Sequence, residues 1–143
     1  MKPERKRVVF DTSTIISAMI KPDSIPGHAV QKAILECDVF ISDETFVELQ
    51  SVAFRQKFDR YFSPDGVSRQ QFLALYAVKG IRAAVSEFIT DCADPKDNKF
   101  LSLAVAAKAE FLVSGDKKHL LSMNPYRDIQ IVTAARLLQY VKR

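Results

Sequence analysis

Four acidic residues each follow a predicted strand or lie at the start of the helix after one. Asp11 comes directly after a short apolar run, and Asp116 follows a second such run after a short turn. Glu48 lies about one turn into the helix after another predicted strand, and Asp97 lies in the first turn of a helix that begins near Pro95. Because ligands of open parallel sheets bind beyond the carboxyl ends of the strands, we expect all four carboxylates to reach the same edge.

Carboxylates gathered at one edge indicate metal chemistry. Several carboxylates brought together repel one another and raise one another's pKa. Hard divalent cations such as Mg²⁺ relieve this repulsion, since they take oxygen ligands and keep waters for a substrate phosphate. Such a site can activate water and neutralise charge on a phosphodiester.

Helical spacing orients two of the acids. Residues three and four positions apart share one face of a helix. Asp97 therefore shares a face with Phe100 and Leu101, and Glu48 shares a face with Val52. An acid at the head of an apolar stripe is predicted to lie along the rim of the core.

Each acid taken alone also has an ordinary structural interpretation. Asp11 could cap the next helix, and Glu48 could be a solvated helix residue. Asp97 lies where an acid commonly supports a helix N-terminus, and Asp116 lies in a turn. The joint placement of the four acids favours the metal site.

Other polar residues near the acids have two interpretations. Ser13, Thr14 and Ser114 lie beside Asp11 and Asp116 in the sequence. They are either ordinary turn and helix-start hydroxyls or hydrogen-bond donors to metal-bound water.

The same holds for the basic residues beside the acids. Lys96, Lys99 and Lys117 are either solvated charges or contacts to a substrate phosphate. His119 could be a general base, although a surface position near the turn is favoured.

Apolar runs and capping residues predict strands that alternate with helices, which indicates an α/β domain with a parallel sheet. The pattern of residues 81–89 fits either a helix or a strand, and we favour a short extended segment at their end. Residues 56–61 could continue the third helix after a break. The predicted strands are residues 7–10, 38–41, 110–113 and 129–132, and the predicted helices are residues 12–20, 26–36, 43–54, 68–79, 95–108 and 134–143, with Ser42, Ser68, Asp94 and Thr133 as caps.

Composition is that of one globular domain, which we expect to span residues 1–143. Apolar residues make up 48% and charged residues 27% of the chain. No apolar run approaches the roughly 18 residues that a membrane helix needs, and the run after the basic start is too short for a signal peptide. We therefore expect no membrane partner and a cytoplasmic location.

The net charge and the cysteines bear on the kind of partner and on the presence of a zinc site. The formal net charge of +4 favours an anionic partner, though weakly. Cys37 and Cys92 are too far apart from each other and from the histidines for a zinc site. We expect both to be small apolar residues.

Four segments around the acids resemble the PIN-domain family, in the family's order and over essentially the whole chain. The first and second are residues 8–13 with Asp11 and residues 42–52 with Glu48. The third, residues 94–101 with Asp97, is similar to the subgroup of VapC-like toxins of toxin–antitoxin pairs. The fourth is residues 112–116 with Asp116.

The resemblance implies a fold and a site. The fold would be a three-layer α/β/α sandwich with a central parallel sheet of about five strands. The metal, Mg²⁺ or Mn²⁺, would be held by Asp11, Glu48, Asp97 and Asp116. Ser13 and Ser114 match the family's supporting polar residues. Asp94 belongs to the third segment but has the position of a helix cap, so we treat it as a supporting residue.

The resemblance also implies a function and partners. The protein would be a metal-dependent ribonuclease that hydrolyses RNA phosphodiester bonds. As a toxin it would be held in check by a small antitoxin protein that covers the acids, and it would form a homodimer. PIN domains also serve in RNA processing and decay, which leaves the toxin role open.

Other protein classes fit less well. A haloacid-dehalogenase-type phosphatase needs a second Asp two residues after the first, where this chain has Ser13. A phospho-acceptor receiver domain needs a pair of acids at the end of its first strand, and Asp11 has no such neighbour. A PIN-like RNA-binding or scaffold module without catalysis would not need the intact set of acids.

Overall fold

The computed structural model describes residues 5–141 and contains five short strands, all parallel. These strands are β1 (Arg7–Phe10), β2 (Asp38–Ile41), β3 (Ile81–Arg82), β4 (Phe111–Val113) and β5 (Gln130–Val132). They form one sheet in the order β3-β2-β1-β4-β5. β1 and β4 are therefore neighbours in the middle of the sheet, and their carboxyl ends lie side by side. Residues 1–4 and 142–143 of the predicted domain lie outside the described residues.

Six helices connect or follow the strands. They are α1 (Thr12–Ile20), α2 (Ile25–Glu36), α3 (Asp43–Ala53), α4 (Val67–Lys79), α5 (Asn98–Ala106) and α6 (Ala134–Tyr140). The longest, α4, has 13 residues. No helix within residues 5–141 is long and apolar enough to cross a membrane.

Side chains that alternate along the central strands divide the core into two parts. Val8 and Phe10 of β1 pack with α1, α2, α3, α4 and α6 on one face of the sheet. Val9 of β1 packs with Leu112 of β4 and with α5 on the other face. The alternation follows from the two-residue repeat of a strand, and both faces are covered, as a parallel sheet requires. The predicted three-layer α/β/α fold with a five-stranded parallel sheet is confirmed.

Polar residues after three of the strands turn the chain into a helix. Asp11 accepts a hydrogen bond from the backbone N–H of Thr14 (2.9 Å) and so caps α1. Ser42 caps α3 through Thr45, and Thr133 caps α6. These caps satisfy N–H groups that have no partner inside the helix, and they place polar side chains at the carboxyl edge of the sheet.

The segment around Asp97 differs from the predicted single helix of residues 95–108. Pro95–Asp97 form a 3₁₀ turn, and α5 begins only at Asn98 and ends at Ala106. Asp94 caps this turn, as predicted, by accepting a hydrogen bond from the backbone N–H of Lys96 (3.1 Å). The tighter turn places Asp97 at the junction of two helix types.

Three predictions about residues 56–89 differ from the structure. Ser68 does not cap α4, because the helix begins at Val67 after Gly66, whose φ of 77° suits glycine. The extended segment within residues 81–89 lies at their beginning, since Ile81 pairs with Phe40 of β2. Residues 56–61, taken as a continuation of α3, form a separate 3₁₀ helix, Gln56–Tyr61.

The two cysteines lie in different parts of the core. Cys37 packs on the α1 face of the sheet and Cys92 on the α5 face, and both are buried and unpaired. The expectation that they are small apolar residues is confirmed.

Candidate active site

A cleft of about 520 Å³ opens at the carboxyl ends of the strands and brings the four predicted acids together. Asp11, Glu48, Asp97 and Asp116 all line it, and Asp94 joins them. These acids come from segments that are far apart in sequence. The sheet register and the capping geometry described above bring them to one place.

Asp11 is the most deeply placed of the acids. Its side chain is buried, with only 4% of the residue exposed. Burial raises the pKa of Asp11 above its usual range, against the opposing effect of hydrogen bonds from Ser114, Thr14 and Ser13. Asp11 therefore serves both interpretations of its position, because it caps α1 and lies in the cleft.

Ser114 links two of the acids. Its hydroxyl donates to Oδ2 of Asp11 (2.6 Å) and accepts from the backbone N–H of Asp116 (3.0 Å). Ser114 is itself buried, so both bonds are shielded from water. The side chain thus fixes Asp11 relative to the turn that carries Asp116.

The carboxyl group of Asp97 has a strongly raised pKa. Burial, the neighbouring Asp116 carboxyl, and the charges of Asp94 and Asp11 raise its pKa to about 7. Its Oδ2 atom is buried and has no hydrogen-bond partner within residues 5–141. A buried carboxylate oxygen without a donor is costly, so a ligand that supplies positive charge would stabilise it.

His119 contacts the acids, although a surface position was favoured for it. Its Nδ1 lies 2.9 Å from Oδ2 of Asp116, and its backbone N–H donates to Oδ1 (3.2 Å). Burial acts to raise the pKa of Asp116, but hydrogen bonds from His119 and Asp97, together with the charge of His119, lower the pKa overall. Asp116 is therefore the ionised member of the Asp97–Asp116 pair near neutral pH.

The residues present fit a divalent cation. Asp94, Asp97 and His119 each offer a ligand atom, and these atoms lie within 4.8 Å of one another. Asp11 and Asp116 add oxygen donors in the same cleft. An oxygen-rich set with an unpaired buried carboxylate oxygen suits Mg²⁺ or Mn²⁺, which prefer such ligands.

Glu48 lies in the cleft, but its carboxylate faces other partners. Oε2 accepts from the hydroxyl of Thr12 (2.5 Å), and Oε1 lies 2.6 Å from Nζ of Lys99. The Lys99 amine also donates to the backbone carbonyl of Lys96. The Lys99 side chain is only 13% exposed, so this ion pair is largely shielded from solvent.

The remaining predicted side chains differ in how close they lie to the acids. The Ser13 hydroxyl lies 3.4 Å from both oxygens of Asp11, which is a long contact. Among the three predicted lysines, Lys96 lines the cleft, Lys99 pairs with Glu48, and Lys117 is exposed in the turn.

Sequence reasoning did not assign Thr12 to the site. Its neighbour Asp11 was the only signal, since its partner Glu48 lies 36 residues away.

A larger cavity of about 700 Å³ lies at the opposite, amino end of the sheet. Its basic lining residues are mostly engaged, as Arg5 pairs with Asp38 and Arg127 with Glu87. Among the described residues its acids are Glu110 and Asp128, and Glu110 pairs with Lys6. Because chemistry in parallel sheets collects at the carboxyl ends, we assign the site to the smaller cleft.

The raised pKa of Asp97 predicts how stability depends on pH in EDTA. Between about pH 4 and 7 the folded protein keeps a proton that the unfolded chain has lost, so the free energy of unfolding falls as pH rises. Asp97→Asn removes this penalty. We expect its melting temperature to exceed that of the wild type at pH 8 and to approach it at pH 4.5. An equal difference at both pH values would contradict the pKa of Asp97.

Comparison with known proteins agrees with this geometry. The family model described as "PIN domain" matches residues 7–118, a range that contains β1 to β4 and all the acids of the cleft. The chain is also 30% identical to Uncharacterized protein MJ1680 of Methanocaldococcus jannaschii over 118 residues, which cover 82% of this chain and 75% of that protein. The chain therefore belongs to the PIN-domain family.

Proposed function

We propose that this protein is an endoribonuclease that hydrolyses RNA phosphodiester bonds with Mg²⁺ or Mn²⁺ as cofactor. PIN domains are generally metal-dependent nucleases. The observation that carries the proposal is the cleft in which Asp11, Asp97 and Asp116 meet and in which the buried Oδ2 of Asp97 has no partner within residues 5–141. Without a cation the buried, unpartnered oxygen of Asp97 costs stability, which favours a functional role for the cluster.

Asp11, Asp97 and Asp116 would hold the ion, with Asp94 and His119 beside them. A bound divalent ion supplies Lewis acidity, which activates water and neutralises negative charge on the phosphate. Ser114 orients Asp11, and His119 keeps Asp116 ionised, so two of the three carboxylates are prepared for binding. Lys96, at the rim of the cleft, would contact an RNA phosphate.

Glu48 has a different role in this proposal. Both of its oxygens already accept hydrogen bonds, from Thr12 and Lys99. We assign Glu48 to the surroundings of the ion, where its fixed carboxylate orients water through its remaining lone pairs. Lys99 would then act as the cation that holds Glu48 in place.

The first test is cleavage of RNA by the purified protein with Mg²⁺ or Mn²⁺. We expect cleavage that EDTA abolishes, and we expect Asp97→Asn to lose more than the roughly 100-fold typical of outer-shell residues, because a direct ligand is removed. The variant should also lose the rise in melting temperature that the metal causes. Asp23→Asn, an exposed acid outside the cleft, is the matched control.

Two results would overturn the nuclease proposal. The first is RNA binding that needs neither metal nor Asp97, which would indicate an RNA-binding module. The second is metal-dependent cleavage that persists in folded Asp97→Asn at the wild-type rate.

The role of Glu48 can be separated from that of the ligands. We expect Glu48→Gln and Lys99→Met to reduce cleavage by about 10–100-fold and to keep the metal-induced rise in melting temperature. Lys99→Met leaves a shielded carboxylate without its cation, so the double variant should be more stable than Lys99→Met alone. Loss of the metal effect in Glu48→Gln would make Glu48 a direct ligand.

We further propose that the protein is the toxin of a toxin–antitoxin pair, held in check by a small protein that covers the acids. The support is the resemblance of residues 94–101 to that subgroup. Expression is then expected to arrest growth, and Asp97→Asn is expected to abolish the arrest. Co-expression of a small protein encoded next to it should restore growth. Unimpaired growth with an active enzyme would favour a role in RNA processing instead.

A further inference from the structure

The cleft extends beyond the acids into a part of different chemistry. There its wall is apolar and consists of Ile16 and Ile20 of α1 and Val52 of α3. Its rim is formed by Arg55, Lys57 and Phe58, which we call the basic shelf. The acids and the basic shelf border the same cavity, so one elongated ligand can contact both.

Arg69 of α4 holds the segment that carries the basic shelf. Its guanidinium donates to the carbonyl of Ala53 (3.1 Å) and to Oδ1 of Asp59 (3.0 Å). It also lies over the rings of Phe54 and Phe62, with distances to the ring centroids of 4.9 and 5.1 Å. Since Arg69 is buried, these contacts on both sides of the basic shelf restrain it before any ligand arrives.

The charges of the basic shelf are available to a ligand. Arg55 and Lys57 are exposed, and neither forms an ion pair with a carboxylate of residues 5–141. By contrast, the buried Arg69 and Lys99 are both paired with acids. Two exposed cations beside an apolar wall suit a ligand that is both anionic and apolar.

A nucleotide has this combination, because it joins a phosphate to a flat, largely apolar base. An acidic peptide would satisfy Arg55 and Lys57, but its carboxylate side chains offer little apolar surface to the wall of the cleft. RNA held at the acids through its scissile phosphate necessarily brings its neighbouring nucleotide close by.

We propose that the basic shelf binds the RNA nucleotide next to the cleaved bond. Arg55 and Lys57 contact its phosphate, and its base lies against Ile16, Ile20 and Val52. This inference rests on the proposed nuclease function and adds the residues that position the substrate. A base in this part of the cleft cannot be paired, so the bound strand is single there.

The test is the binding of a short, labelled single-stranded RNA, followed by fluorescence anisotropy in EDTA at several KCl concentrations. We expect Arg55→Ala/Lys57→Ala to bind roughly tenfold more weakly at low salt. The slope of log affinity against log salt should become shallower by about 0.7 for each phosphate that the variant no longer neutralises. Val52→Ala should weaken binding and leave that slope unchanged, because it removes only apolar surface.

Lys79→Ala/Arg136→Ala is the matched control, since it removes the same charge from exposed residues that do not line the cleft. It should bind RNA like the wild type. Melting curves with and without Mn²⁺ separate this proposal from the nuclease proposal. Arg55→Ala/Lys57→Ala should keep the metal-induced rise in melting temperature, whereas Asp97→Asn should lose it.

Wild-type affinity and salt slope in Arg55→Ala/Lys57→Ala would overturn the inference. So would a variant that binds RNA normally and no longer binds poly-glutamate, because the basic shelf would then be a protein-docking surface. Weakened RNA binding in the variant together with a wild-type protein that cleaves no RNA would refute the nuclease proposal. It would also overturn the inference as stated, because the basic shelf would then bind RNA with no cleaved bond beside it.

Discussion

The pairing of β1 with β4 is the constraint on which the site depends. It aligns Phe10 with Val113, so the next residue of each strand, Asp11 and Ser114, leaves the sheet at the same level. The backbone N–H of Asp11 continues the ladder to the carbonyl of Val113 (2.9 Å), and the Ser114 hydroxyl then reaches the Asp11 carboxylate. A shift of β4 by one residue relative to β1 would turn the side chains of β4 to the other face and separate Ser114 from Asp11.

The cleft brings together several carboxyl groups whose proximity does not stabilise the fold. Asp11 is buried, Asp97 has a raised pKa, and Asp116 keeps its charge through His119. Each of these features costs stability or requires a compensating hydrogen bond. Buried carboxyl groups with shifted pKa values are expected at a cleft that binds a cation and a phosphate. PIN domains, the family to which this chain belongs, are generally metal-dependent nucleases.

The sequence predicted the elements with strong local signals. The bounds of β1, β2 and α1 follow from apolar runs that end at polar residues. The acids of the cleft were singled out because Asp11 and Asp116 follow strands, and because Glu48 and Asp97 lie near the starts of helices. Where the local pattern was weak, the prediction was wrong. In residues 81–89 the extended part is set by pairing with β2, which the local sequence does not reveal. The contacts of Glu48 with Thr12 and Lys99 join residues 36 and 51 positions apart. No local pattern predicts such contacts.

The Glu48–Lys99 pair has a mechanical consequence. α3 packs on one face of the sheet through Leu49, and α5 packs on the other face through Leu101. The ion pair joins Glu48 of α3 directly to Lys99 of α5. It therefore connects the two outer helical layers. A displacement of Glu48 in α3 also acts on Lys99 in α5. Because α3 and α5 both line the cleft, its width depends on how these two helices are held relative to each other.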